Sequence, residues 1–437
     1  MNKNNVNQIV ETYYSNKNLF IFLGMIILVL LLVFIKISFT TRTKEKIKEY
    51  KYHKNKSFSN IKKCYEIKEP YKPRLCDYNI CSSYNTGLVD RQKGDYISLD
   101  MIKKIILSGA RYLEFNIVSN NYSDKPEPYI GIGEATGNWI YSLNVLELND
   151  VFNVIYKYAF YENHNNPLIL YINFNNYKEH LINKTGDIIY SKLKEYLLNP
   201  LDYKQLPITQ EYLCNLSEKI ILLSNLSGEQ TNKTSFKKIN IPQLGFIKRL
   251  YYKDAIKYLY YDKGREMSET EMINKNHSES FKLEQEEQFK KEYTSSEIII
   301  KKKGGKYFEE LLDQFYNPLI HFNKIGMTIL LPHTIDDIFT KNIEYKKFRE
   351  HGIQIITMNF QLFNPSPKAP YEKGSTVMDK YIYYFKENSF ILKNAPKFHK
   401  QPRIDTNKYT ASLEYENNIP EFEPNIPIFF DNQPITI

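Results

Sequence analysis

Cysteine is scarce: Cys64, Cys76, Cys81 and Cys214 are the four in 437 residues. They form no CxxC pair and no metal-ligand spacing, so a cysteine-built metal site is excluded. Tryptophan occurs once, at Trp139, in a loop (Gly137-Asn138-Trp139) where it reads as a packed cover. A large charge of one sign is also missing. Lys and Arg number 59 against 50 Asp and Glu, a net +9 on a mixed surface. No basic stretch is interleaved with aromatics, so nucleic acid is not expected as a partner. What is abundant is Tyr, with 37 copies, together with Lys, Asn and Ile. All four have AT-rich codons and report the genome more than a function. The seven Asn-x-Ser/Thr sequons, at Asn55, Asn121, Asn183, Asn215, Asn225, Asn232 and Asn276, are what chance gives in so Asn-rich a chain. Neither they nor the cysteines fix the compartment. With 42% hydrophobic residues, the chain can bury a sizeable core and is long enough for one large domain plus extras.

One apolar run stands apart. Leu19 to Ile35 carries no charge, and after Lys36 the run resumes to Phe39. As a helix, residues 19–39 span about 31 Å, close to the hydrocarbon thickness of a bilayer. Lys36 lies within a turn of the end and can snorkel to the headgroups. The run is longer than a signal peptide's apolar region, and no A-x-A-like cleavage site follows. A single membrane-spanning helix is therefore expected, after a tail at 1–18. Only Lys3 and Lys17 precede it as basic side chains, whereas Arg42, Lys44, Lys46, Lys48, Lys51, Lys54 and Lys56 follow. The positive-inside rule places the C-terminal part on the cytosolic side. The basic flank is either a solvated stop-transfer signal or a contact for anionic lipid headgroups.

Beyond a basic stalk at 40–75, short apolar runs alternate with helical stretches. Strands are predicted at Cys76–Ser82, Tyr112–Val118, Pro128–Ile132, Leu168–Phe174, Ile220–Leu223, Gly245–Tyr251, Met327–Leu331 and Ile353–Asn359. Helices are predicted at Ser98–Ser108, with Ser98 as N-cap and Gly109 as stop, at Leu146–Tyr161 and at Tyr307–Phe322. Eight strands with intervening helices imply an α/β fold with a parallel (β/α)8 barrel. Residues 262–304 are rich in Glu, Lys, Ser and Asn and read as a charged insertion. Past residue 399 the chain is punctuated by proline and reads as an extended tail.

Seven segments, in order, resemble phosphoinositide-specific phospholipase C. Cys81 to Thr86 (CSSYNT) resembles the "SSSHNTY" that opens that family's X half, and Gly109 to Asn116 (GARYLEFN) resembles "GCRCIELD". Pro128 to Ile132 with the following Val145-Leu146-Glu147, and Pro167 to Asn173 (PLILYIN), continue the X half. His321 to Pro332 (HFNKIGMTILLP), His351 to Gln361 (HGIQIITMNFQ) and Met378 to Lys393 resemble segments of the Y half. The resemblance implies a TIM barrel with an X-like half at 76–225 and a Y-like half at 306–398. Residues 226–305 would connect them and hold the insertion. No segment reads as the PH, EF-hand or C2 modules that accompany the family's barrel.

The family's chemistry uses two histidines and a calcium ion held by three carboxylates and an Asn. Here the histidine positions are Tyr84 and Ile130. A phenol with a pKa of about 10 is a poor acid/base at neutral pH, and Ile is none. Of the metal positions, Asn85 and Glu114 match, while Asn116 and Asn173 stand where carboxylates belong. One carboxylate and three amides make a weak set for Ca²⁺, so no calcium and no other cofactor is expected. The lysines expected to meet substrate phosphate fall on Ser224 and Leu226, and the Arg and Tyr on Ile329 and Leu331. Asn85 and Glu114 can instead simply hydrogen-bond each other and tie strand ends together. His164 and His351 precede their strands and belong at the bottom of a barrel. Glu134 and His333 are the spare groups best placed to substitute, with His180 a further histidine near the top. The reading is a membrane-anchored, catalytically inactive phospholipase-C-like module that binds a lipid headgroup, a phosphate or a protein. A divergent phosphodiesterase with a rearranged site and a structural membrane or virion protein are the alternatives.

Overall fold

The unbroken run of Leu, Ile, Val and Phe forms one helix in the computed structural model of the chain, α1 (Lys17–Glu49). The structure describes residues 17–49, 60–67, 72–90, 93–119, 127–133, 140–161, 165–198, 207–239, 246–259, 318–332, 342–362, 376–393, 428–430 and 433–435. The α1 helix belongs to a unit of residues 1–51, separate from a unit of residues 52–437. Its mean hydropathy peaks at 3.1, and none of that stretch is buried. By length and composition the helix is long and apolar enough to cross a membrane, a test that a signal sequence near the N-terminus also passes. It continues past Phe39 to Glu49, so the start of the expected stalk is helical.

The first described element of the 52–437 unit is α2 (Asn60–Glu66), which buries Ile61 and Cys64. The strands follow as β1 (Tyr78–Ile80), β2 (Ser82–Ser83), β3 (Tyr112–Ser119), β4 (Pro128–Gly131), β5 (Leu146–Glu147), β6 (Leu168–Phe174), β7 (Ile220–Ser224), β8 (Ile247–Tyr251), β9 (Met327–Leu331), β10 (Ile355–Ile356) and β11 (Phe390–Leu392). They form two sheets, ordered β11-β1-β10-β9-β8 and β5-β4-β3-β6-β7, with β2 paired to β3. The runs LILYINF in β6 and IILLS in β7 are buried along their whole length, as strands covered on both faces must be. The sheets come together at Ser83, which pairs with Leu113 of β3 and bridges Met358 beyond β10. Their inner faces share one core that includes Ile80, Tyr112, Ile169, Leu223, Ile247 and Ile329.

The helices follow from apolar spacing. In α3 (Leu99–Leu107) the buried residues are Met101, Ile102, Ile105 and Ile106; in α4 (Leu148–Tyr158) they are Leu148, Val151, Phe152 and Ile155. The α3 helix stops as predicted. Gly109 takes φ +95°, and its N–H and that of Ala110 return to the carbonyls of Ile106 and Ile105. Ser98 sits at the N-cap, although its side chain makes no capping bond. Arg111, just before β3, is fully buried and donates to the carbonyl of Ala159, at the C-terminus of α4.

Two expectations are corrected. The strand at 128–131 is antiparallel to β3, not parallel, with Asn116 opposite Gly131 and Ile117 opposite Ile130. A parallel crossover needs a dozen or more residues, and the link from Ser119 to Pro128 is too short. Leu146 and Glu147 are extended and pair with β4, so the helix begins at Leu148. Of the helix expected at Tyr307–Phe322, residues 318–322 are described, in a helix that runs from Pro318 on to Ile325.

Lys248 of β8 illustrates the cost of a half-buried charge. Its ammonium lies 4.2 Å from the centre of the Phe322 ring, and burial pushes its pKa down to about 8. Above that value and up to the ordinary lysine range, the unfolded chain binds more protons than the folded one. Stability from this group therefore rises with pH across that window. Lys248→Met is expected to stabilise the protein by about 1 kcal/mol near neutral pH, part of the desolvation cost being returned by the Phe322 face. Urea unfolding at neutral pH and again near pH 10 should show the gain shrinking. An unchanged gain at both would place the lysine in solvent.

Candidate active site

The segment Tyr84-Asn85-Thr86-Gly87 leaves β2 as a tight turn. Asn85 adopts φ +43°, the left-handed region that Asn tolerates better than other side chains. Gly87 has φ +103°, and a Cβ there would come within 2.7 Å of Ile102. Thr86 stitches the turn to β3: its N–H donates to the Glu114 carbonyl (2.9 Å), and its Oγ1 accepts from the Glu114 N–H (3.1 Å). Asn85 is thereby held over the end of β3.

Strand register sets the rest. Side chains alternate along β3, so Tyr112, Glu114 and Asn116 share one face. Parallel pairing with β6 puts Glu114 beside Tyr171 and Asn116 beside Asn173. Three amides then form a hydrogen-bonded row. Asn116 Nδ2 donates to Asn85 Oδ1, and Asn173 Nδ2 donates to Asn116 Oδ1, each at 2.8 Å; Asn173 Nδ2 also reaches Asn175 Oδ1 at 3.3 Å. At the two ends of the row, Asn85 Nδ2 and Asn173 Oδ1 are buried and have no hydrogen-bond partner among the described residues. The four positions singled out in the sequence, Asn85, Glu114, Asn116 and Asn173, are thus neighbours.

Glu114 has partners of its own. Its Oε1 takes an ion pair from Arg249 of β8, and its Oε2 accepts from the Tyr112 hydroxyl at 3.1 Å. The Glu114 side chain is 1% exposed and that of Arg249 8%. The guanidinium stacks over the Tyr171 ring, 4.5 Å from its centre. Burial alone would lower the pKa of Arg249, but Glu114 beside it holds it well above the ordinary value. Burial and the same carboxylate push the Tyr112 phenol far up, leaving it protonated. The hydrogen bonds found join Asn85 to Asn116 and Glu114 to Arg249 and Tyr112, rather than Asn85 to Glu114.

Arg249 is the residue that motif reasoning misses. Within Ile247-Lys248-Arg249-Leu250-Tyr251 it looks like one of two adjacent basic residues. Period-two alternation places it with Ile247 and Tyr251, an arginine on the inner face of a strand. In register it lies opposite Ile329, where the resemblance expects an arginine. The basic side chain of this layer stands on β8, beside Ile329 of β9.

The other positions are dispersed. Tyr84 is buried in the shared core, its N–H bonded to the Met358 carbonyl. Ile130 pairs with Ile117 and therefore shares the sheet face opposite to Asn116. Ser224 donates to the Ile172 carbonyl, and Leu226, Ile329 and Leu331 are buried. His180 is exposed on α5 (Glu179–Leu193). His351 ends the helix Tyr345–Glu350, its Nδ1 2.9 Å from the Lys347 carbonyl, and burial lowers its pKa. Glu134, His333, Trp139 and His164 lie outside the described residues.

Residues 71–225 match the family model for the phosphatidylinositol-specific phospholipase C X domain. That stretch is therefore similar to the X domain of this family, and four of the seven motifs fall on it. A curated relative, 1-phosphatidylinositol 4,5-bisphosphate phosphodiesterase beta egl-8 of Caenorhabditis elegans, is 36% identical over 72 residues, 16% of this chain. Solved structures of PLC21 from S. officinalis and L. pealei are similar at TM-score 0.44, with 18% and 20% identity. Each of these two structures covers 76% of this chain. The chain spans 5% of the length of the curated relative and 39% of each PLC21 chain.

Proposed function

We propose that this chain is a membrane-anchored, non-catalytic phospholipase-C-like module that binds a lipid headgroup, a phosphate or a protein. In this reading residues 306–398 supply the Y-like half, and the two sheets close into a barrel around the shared core. The α1 helix spans the bilayer. The basic residues from Arg42 to Lys56 keep the 52–437 unit on the cytosolic side, near anionic headgroups.

The observation that carries the reading is the state of Glu114, whose charge is already met by Arg249. Cleaving a phosphodiester with an internal hydroxyl requires a group to take that hydroxyl's proton and a positive charge to meet the developing negative one. The amides of Asn85, Asn116 and Asn173 take no proton at neutral pH. The Tyr112 phenol is held protonated, and Ile130 offers no chemistry. Support for a headgroup or phosphate ligand comes from the X-domain match at 71–225. The same match is what favours the alternative of a divergent phosphodiesterase.

Hydrolysis separates the two. The full chain, reconstituted into phosphatidylcholine vesicles carrying phosphatidylinositol or its phosphorylated forms, is expected to release no inositol phosphate above background with calcium present. Turnover that is lost in Glu114→Ala overturns the non-catalytic reading.

A further inference from the structure

We infer that Arg249 takes the place of the family's divalent cation, so that this site is built around a protein-supplied charge and does not bind calcium. The inference rests on the same reading of Asn85, Glu114, Asn116 and Asn173 as the metal positions, and it goes beyond loss of catalysis. It states what holds the remaining carboxylate and what no longer can.

The oxygens can be followed one at a time. A Ca²⁺ ion takes six to eight oxygen ligands, and its affinity depends on how many are charged. Glu114 is the single carboxylate among the four positions. Its Oε1 is paired with Arg249 and its Oε2 accepts from Tyr112. Asn85 Oδ1 and Asn116 Oδ1 each accept from a neighbouring amide N–H, and Asn173 Oδ1 has no hydrogen-bond partner among the described residues; all three are neutral oxygens that add no charge to the single carboxylate. Among the described residues, no three His, Cys, Asp or Glu side chains gather elsewhere to replace the set. The residues present do not fit a hard divalent ion.

They do fit a guanidinium. Its planar fork suits a carboxylate, and its face stacks on an aromatic ring, a contact that Tyr171 provides at 4.5 Å. The pair is nearly closed to solvent, so a cation arriving from outside would have to expel Arg249 and leave its charge buried. The exchange follows from the layer itself. Where Asn116 and Asn173 replace acids, the remaining negative charge is one, and one fixed positive charge balances it.

The test is calcium binding to the full chain in detergent micelles, by calorimetry and by thermal unfolding in millimolar CaCl2 against EGTA. Wild type is expected to show no binding that depends on Glu114 and the same unfolding midpoint in both buffers. Arg249→Lys, which keeps a charge but loses the fork and the stacking, is expected to unfold at a lower midpoint. Calcium binding by wild type that disappears in Glu114→Gln, or an Arg249→Lys protein as stable as wild type, overturns the inference. Heat of binding that survives Glu114→Gln comes from elsewhere and leaves it standing. Its failure is separate from that of the proposed function. Lipid turnover that persists in EGTA would end the non-catalytic reading while supporting a calcium-free site. Calcium bound at Glu114 without turnover would do the reverse.

Discussion

Glu114→Gln is expected to lower the unfolding free energy by about 3–5 kcal/mol, the range for removing one partner of a buried ion pair. The amide keeps the shape and can still accept from Tyr112, but it no longer offsets the guanidinium of Arg249. That guanidinium is 8% exposed and packed against Tyr171, so it cannot turn to water without disturbing the layer. Arg249→Met should cost a similar amount, for the mirrored reason. The double change, Glu114→Gln with Arg249→Met, leaves no uncompensated charge and should lose clearly less than the sum of the single changes. Urea unfolding of all four proteins at neutral pH measures this. Additive losses, or a Glu114→Gln loss under about 1 kcal/mol, would mean that the pair is loose and solvated.

Gln354→Leu is expected to cost about 2–4 kcal/mol, because it leaves several buried backbone groups unmet at once. Gln354 is 1% exposed and ties together segments distant in sequence. Its Oε1 accepts from the Thr328 N–H at 2.9 Å, and its Nε2 lies 2.9 Å from the carbonyls of Cys76, Asn323 and Gly326. It therefore joins the entry to β1, the turn before β9 and the start of β10. Leucine matches the volume but satisfies none of these groups. Chemical denaturation of the variant is the check. A loss under about 0.5 kcal/mol would mean that the carbonyls find other donors, against the usual cost of orphaned buried groups.

The pattern of apolar runs carried most of the elements. Continuous hydrophobic stretches such as Leu168–Phe174 and Ile220–Ser224 can be little other than buried strands. The stop at Gly109 was legible because a glycine after an amphipathic run invites a left-handed closure. The direction of β4 was missed because periodicity says nothing of direction, although the short link from Ser119 to Pro128 held the answer. In the site, motif order brought Asn85, Glu114, Asn116 and Asn173 to one place. Arg249 escaped because its meaning lies in which face of β8 it occupies and which strand faces it. Both are long-range facts: Arg249 and Glu114 are 135 residues apart in sequence. The strand expected from Gly245 is β8, described from Ile247; residues 240–245 lie outside the described part, as do Glu134 and His333.

An X-ray structure of the protein crystallised in calcium, with anomalous data to locate the ion, decides what neutralises Glu114. The guanidinium of Arg249 should lie against Glu114 and over Tyr171, with no anomalous peak within coordination distance of the carboxylate. A calcium ion bound to Glu114, with Arg249 swung away, would contradict it.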